Sequence, residues 1–336
     1  MSDERVLLAH GSGGHMSQQL IENVFKNSWS NPYLNQMLDG AIMDLPAQKI
    51  AVSTDSFVIT PIFFPGGDIG KISICGTVND LVACGAQPRY LTVGMILEEG
   101  FPLDDLKKIA LSMARTAEEA GVQLVTGDTK VVEKGKADQI FINTSGIGII
   151  PEGTDYHPRK IQVGDKVIVT GNSGDHGLAI LATREGLSFS TPVVSDCAPL
   201  HRIGELLRGY GEAVRCMRDP TRGGLATVLN ELAAQSGRSM LIQEKAIPLS
   251  PAVSGACDML GMDPLYMANE GKMVVFAAPE RATAILDSLR SLPEAKDGAI
   301  IGEVTAETQA LVLMETELGA RRILGMLEGE HLPRIC

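Results

Sequence analysis

The sequence predicts a two-domain protein of the α/β (α+β) class. Three observations carry this: the length, the mixture of strand-like and helix-like patterns in both halves, and a single break between them. The chain has 336 residues, and at roughly 150 residues per domain that is about two domains. In the first half, Met16, Leu20, Ile21, Val24 and Phe25 recur at helical spacing, so residues 15–28 read as a helix. Residues 103–120 (LDDLKKIALSMARTAEEA) are the clearest amphipathic helix, with Pro102 before it and Gly121 after it. KIAVST (49–54), YLTVGMIL (90–97), VQLVTG (122–127) and IFINTSGIGII (140–150) read as strands. Residues 151–165 then bring prolines, glycines and charges together, as a linker does. Beyond it the pattern restarts: KVIVT (166–170), MVVFAA (273–278) and ALVLM (310–314) as strands, with helices over 200–210, 225–235 and 281–292. The expected division is 1–155, 156–329 and a tail, 330–336.

Composition excludes several classes. The 29 basic residues against 41 acidic ones leave a net charge of −12. With no basic run, the footprint that nucleic acid requires is missing. Aromatics at 4% are too few for a base-stacking platform. No apolar stretch approaches the roughly 18 residues of a membrane span, and residues 1–14 show no basic-then-apolar leader. Six scattered cysteines, without a C-x-x-C pair, fit a reducing cytoplasm. Cys75, Cys84, Cys197, Cys216 and Cys257 read as small core residues, whereas Cys336 is the last residue.

The chemistry-bearing residues are acidic. Asp55 (VSTDS), Asp80 (TVNDL), Asp128 (VTGDTK) and Asp219 (RDPTRGG) are read at strand ends or in tight polar turns. Ligands of α/β sheets bind at such a rim. Carboxylates that converge there repel one another unless a cation lies between them, and Mg²⁺ completed by phosphate oxygens suits that role. Each Asp taken singly is equally a turn former or helix cap. His10-Gly11-Ser12-Gly13-Gly14 follows a short apolar run and offers backbone N–H groups to phosphate; it matches neither the P-loop nor the dinucleotide fingerprint. Gly171, Gly174 and Gly177 repeat the pattern after 166–170. Lys130 is either a phosphate-neutralising cation or a solvated surface lysine. Glu270 (MANEGK) is either a general base or a capping residue. Cys336, in HLPRIC, is either incidental or a nucleophile on an arm that Pro333 keeps out of any helix.

AHGSGG, STDSFVI, FFPGGDIGK, GTVNDL, GDTKV, DHG, RDPTRGG, NEGK and the terminal PRIC together resemble the HypE family of hydrogenase maturation factors. That family belongs to the superfamily of aminoimidazole ribonucleotide synthetase, selenophosphate synthetase and thiamine-monophosphate kinase. The match runs from residue 8 to the end. The resemblance implies two α/β domains and a homodimer whose N-terminal strands join into a barrel, with ATP and Mg²⁺ near that interface. It implies that Cys336 receives a carbamoyl group from HypF, that ATP drives its dehydration to a thiocyanate, and that the cyano group passes to iron on a HypC–HypD complex. By match, Asp55, Asp80, Asp128 and Asp219 hold Mg²⁺. His10, Gly11, Gly13, Gly14, Asn79, Thr129 and Lys130 join those acids around the nucleotide, Lys130 also contacts the reacting group, Glu270 takes the proton and Cys336 carries the substrate. Two rivals differ: selenophosphate synthetase places a reactive Cys or selenocysteine in the Gly-rich segment, where AHGSGGH has none, and a non-enzymatic cysteine carrier needs no Asp80, Lys130 and Glu270 together.

Overall fold

The computed structural model describes residues 5–7, 20–31, 49–187, 189 and 192–326. His10, Gly11, Gly13, Gly14 and Cys336 lie outside the described residues.

The first half is built on a four-stranded sheet. Its strands are β1 (Ile50–Phe57), β4 (Gln87–Glu98), β5 (Gln123–Val132) and β6 (Ile140–Ile149), in the order β1-β6-β4-β5. A two-residue hairpin, β2 (Phe63–Phe64) and β3 (Gly67–Asp68), leads into helix α1 (Ile69–Ala83). The Asp68 carboxylate caps α1 by accepting from Gly70 N at 2.7 Å and Lys71 N at 3.0 Å. Helix α2 (Leu103–Ala120) runs between Pro102 and Gly121, whose φ of 67° ends it in a left-handed cap.

Among the described residues, one face of the sheet is covered and the other is bare. Phe57, Leu91, Val93, Met95, Leu97 and Ile142 point under α1 and α2 and are buried. Glycines let the helix come close. A Cβ on Gly76 would stand 2.8 Å from the Phe57 ring, and one on Gly146 2.7 Å from Thr77. The opposite face leaves Val52 66% exposed, with Ile50 and Ile96 also exposed. In one chain the four strands are an open sheet.

The second half holds seven strands in the order β13-β12-β9-β11-β7-β10-β8. They are β7 (Lys166–Val169), β8 (Val214–Arg218), β9 (Ser239–Gln243), β10 (Val274–Ala277), β11 (Ala299–Thr305), β12 (Val312–Glu315) and β13 (Arg321–Ile323). All pairings are antiparallel except β12 with β9. The helices are α3 (Asp175–Glu185), α4 (His201–Arg208), α5 (Gly224–Ser236), α6 (Pro251–Leu260) and α7 (Pro279–Leu289). α5 packs on one face through Leu225, Leu229 and Leu232. α4 and α7 pack on the other through Ile203, Leu207, Ile285 and Leu289, and that core continues into α1 and α2. Between the halves, residues 151–165 carry one 3₁₀ turn, Pro158–Lys160, tied down by His157 N donating to Arg215 O at 2.9 Å.

Several expectations are corrected. Asp55 sits inside β1, Asp128 inside β5 and Asp80 inside α1; only Asp219, one residue past β8, stands at a strand end. Residues 69–83 form a helix that its sequence hides. It is buried on nearly every side, so no polar face marks a 3.6-residue period. Cys84 is exposed rather than a core residue, while Cys75, Cys197, Cys216 and Cys257 are buried. Of the helix expected over 15–28, the described part is wound as a π-helix over Ile21–Lys26 and ends in an α-helical turn at Asn27–Trp29.

Candidate active site

The sheet and α1 bring two acids together. β1 alternates, so Asp55 shares the covered face with Phe57 and Ser53. Asp55 Oδ2 would lie 3.6 Å from a Cβ on Gly76, so the bare helix backbone opposite makes room for it. One turn along α1, Asp80 accepts from Ser53 Oγ at 2.6 Å. Burial raises the Asp80 carboxyl; the Ser53 bond lowers it, and the Asp55 charge raises it again.

The second half contributes Asp219 and Glu270. Asp219 leaves β8 into Pro220-Thr221-Arg222, and a double-glycine turn then starts α5. Gly223 and Gly224 have φ of 72° and 60°, and a Cβ on Gly224 would sit 2.6 Å from Leu265 O, so this turn demands glycine. Burial, then the neighbouring Asp80, pushes Asp219 up to about 7. Glu270 is 3% exposed. Burial raises it well above the usual carboxylate range, and Cys197, Asp219, Asp196 and Asp55 add to this. Asp55, Asp80, Asp219 and Glu270 thus form one electrostatic neighbourhood assembled from both halves. Arg222 and Arg218 temper it, since both lower Asp80 and Arg222 also lowers Asp55. Among the described residues, no three His, Cys, Asp or Glu close on a point as a preformed metal cage.

Asp128, Thr129 and Lys130 lie elsewhere in the chain. The register runs Asp55–Thr144–Val93–Gly127 across the sheet, so Asp128 is level with Asp55 but turned to the bare face, in the row of Ser56, Asn143 and Gly94. It also stands at the far edge, three strand spacings or about 14 Å away. There Lys130 Nζ meets the Asp128 carboxylate at 2.9 Å, both mostly exposed, and such a pair contributes little to stability. Asn79 is buried, its amide spent inside the chain. Nδ2 donates to Ala198 O and Glu270 O, both at 3.2 Å, and Oδ1 accepts from Leu200 N at 2.8 Å.

Three further residues belong to the site. Arg218 and Arg222 flank Asp219 within RDPTRGG, where the aspartate is the more conspicuous residue. Asp196, in an irregular segment with no pattern around it, gave no signal.

The fold, with its acids gathered between two α/β halves, is that of an AIR synthase related protein. Residues 38–150 match the N-terminal domain of that family and residues 162–313 its C-terminal domain. Carbamoyl dehydratase HypE of Azotobacter vinelandii is 49% identical over 331 residues, covering 98% of this chain and 97% of the relative. A solved structure of HypE in complex with ATP superposes with a TM-score of 0.94 at 47% identity, covering 98% and 99% of the two chains. HypE in a HypE–HypF complex gives 0.81 at 48%, covering 92% and 99%. The chain belongs to the HypE family of carbamoyl dehydratases, which act in hydrogenase maturation.

Proposed function

We propose that this protein dehydrates an S-carbamoyl group on Cys336 to a thiocyanate at the expense of ATP, as a homodimer. The observation that carries this reading is the gathering of Asp55, Asp80, Asp219 and Glu270 across the two halves, each with a raised carboxyl. Acids crowded in this way favour a cation between them, which fits Mg²⁺ held by one or two carboxylates together with phosphate oxygens and water. Asp55, Asp80 and Asp219 would hold it, and it would neutralise the triphosphate there.

The chain's groups divide the labour. The carbamoyl oxygen attacks the terminal phosphate of ATP, ADP departs, and phosphate becomes the leaving group at carbon. Glu270 removes a nitrogen-bound proton as the C–O bond breaks. Both nitrogen protons are lost overall, and the products are thiocyanate, ADP and phosphate. A carboxyl held above its usual range by burial is a stronger base than a solvated one. Lys130 offsets negative charge at the transferring phosphate. By the family resemblance, His10, Gly11, Gly13 and Gly14 would bind the nucleotide together with Asp128 and Thr129.

Dimerisation reconciles the two separated groups. Val52, Ile50 and Ile96 put exposed apolar side chains on the bare face of the sheet, and pairing through it would join the two sheets into a barrel. Asp128 and Lys130, which project from that face, would then border the interface, within reach of a nucleotide shared between subunits. HypF as carbamoyl donor and HypC–HypD as acceptor follow the family. Phosphate release from ATP tests the reading: it should rise when HypF and a carbamoyl donor are present, and Cys336→Ala should abolish the rise. Stimulation that survives Cys336→Ala would rule out the carried substrate.

A further inference from the structure

The Glu270 carboxylate belongs to a loop with no ladder of its own. Between the 3₁₀ turn Pro264–Tyr266 and β10, residues 267–273 hold their shape through side chains from three other segments. Asn269, fully buried, donates to Pro220 O at 3.0 Å and Met267 O at 3.1 Å, and accepts from Gly174 N at 2.7 Å. The Asp196 carboxylate accepts from two successive amides, Glu270 N at 3.1 Å and Gly271 N at 3.2 Å. On the other side, Asn79 Nδ2 donates to the Glu270 carbonyl at 3.2 Å. A Cβ on Gly271 would overlap the backbone oxygen of Asp196, so the two strands of chain are in van der Waals contact at this point.

The Asp196 side chain is 3% exposed. A buried carboxylate is costly unless it is paired and hydrogen-bonded. Its partners are the two loop amides and Lys272 Nζ, at 3.6 Å. The segment that carries it is itself pinned from both halves of the molecule. Ser195 N donates to Pro65 O at 2.9 Å, Ser195 Oγ pairs with His176 Nδ1 at 2.8 Å, and Asn79 takes Ala198 O and Leu200 N. The Glu270 backbone is therefore gripped at its N–H from the 192–200 segment and at its C=O from α1, the helix that also carries Asp80.

We propose that Asp196 and Asn79 are positioning residues for Glu270, fixing its backbone from opposite sides so that its carboxylate stays registered to Asp55, Asp80 and Asp219. This gives Asn79 a role other than nucleotide contact, and it rests on the reading of Glu270 as base. Hydrogen bonds to a charged group are among the stronger ones, and losing one near the reacting atoms slows turnover without touching the nucleotide.

The test compares Asp196→Asn, Asn79→Ala and Glu270→Gln in the full-length protein. It measures kcat for water loss from the carbamoylated C-terminus, KM for ATP, the stoichiometry of ATP binding and the thermal midpoint. Asp196→Asn should lower kcat roughly 10- to 100-fold, with KM for ATP within about twofold and full stoichiometry, and Asn79→Ala should show the same split. A normal kcat in Asp196→Asn beside an inactive Glu270→Gln overturns the positioning role alone. Activity lost only in proportion to ATP-binding capacity or folded fraction also overturns it, because that is a structural role. Normal turnover in Glu270→Gln overturns the base and the positioning role together.

Discussion

Asp80 and Asp219 are neighbours that hold their carboxyls above the ordinary range, and each has a distinct expected signature. Asp80→Asn removes a charge that a divalent cation needs, so Mg²⁺–ATP binding should weaken about tenfold or more by titration calorimetry; unchanged affinity would count against its metal role. Asp219 sets a pH dependence in nucleotide-free protein. The folded state keeps its proton up to about pH 7, whereas an unfolded Asp releases it near pH 4. The folded state therefore binds the extra proton across that window, and stability falls as pH rises through it. Asp219→Asn lacks this decline. Its melting temperature at pH 8 should exceed the wild type by a few degrees, with the gap closing toward pH 5; a constant gap would mean that Asp219 does not titrate this way. These acids were legible as chemistry because Asp in Gly/Thr/Asn settings stands out. Their placement was not, because a strand or helix interior and a strand end look alike when the flanking residues are small. Arg222 was overlooked because a lone arginine after Pro-Thr reads as solvent.

At the scale of elements, helix α1 connects fold to chemistry. Its cap fixes its start, Gly76 brings it down onto β1, Gly146 of β6 makes room for it on the other strand, and Asn79 and Asp80 project from its last turns. Asp68→Ala should destabilise by about 1 kcal/mol in chemical denaturation, the usual loss of an N-cap. Gly76→Ala pushes a methyl group against the Phe57 ring and should cost about 1–3 kcal/mol while displacing Asp55; a neutral result would show that the helix can back away freely. The contrast between α1 and α2 explains what could be read. α2 has a wet face and a dry face, and its limits at Pro102 and Gly121 were visible. α1 is dry all round, so its composition looked like a buried strand or nothing in particular. β5 was cut short at Gly127 for a similar reason, since GDTK reads as a turn although the backbone continues extended to Val132.

At the scale of the molecule, one core runs from the first sheet through α1 and α4 into the second sheet, which holds Asp55 and Asp80 against Asp219 and Glu270. Among the described residues, the opposite face of the first sheet leaves Ile50, Val52 and Ile96 exposed. If the proposed dimer pairs through this face, replacing Val52 and Ile96 together by Lys should leave a monomer in sedimentation and sharply reduce turnover, because Asp128 and Lys130 would lose the partner subunit opposite them. A monomer of full activity would confine the site to a single chain. The two-half organisation was legible because composition changes over 151–165. The pairing of distant acids was not, since only the tertiary fold brings residues 55 and 219 together.

The most direct test of the account is the mass of the C-terminal peptide after incubation with HypF, a carbamoyl donor and Mg²⁺–ATP. The peptide bearing Cys336 should first gain a carbamoyl group and then lose one water, the second step occurring only with ATP and failing in Glu270→Gln. A carbamoylated peptide that keeps its water in the presence of ATP, or a dehydration that proceeds without it, would contradict the account.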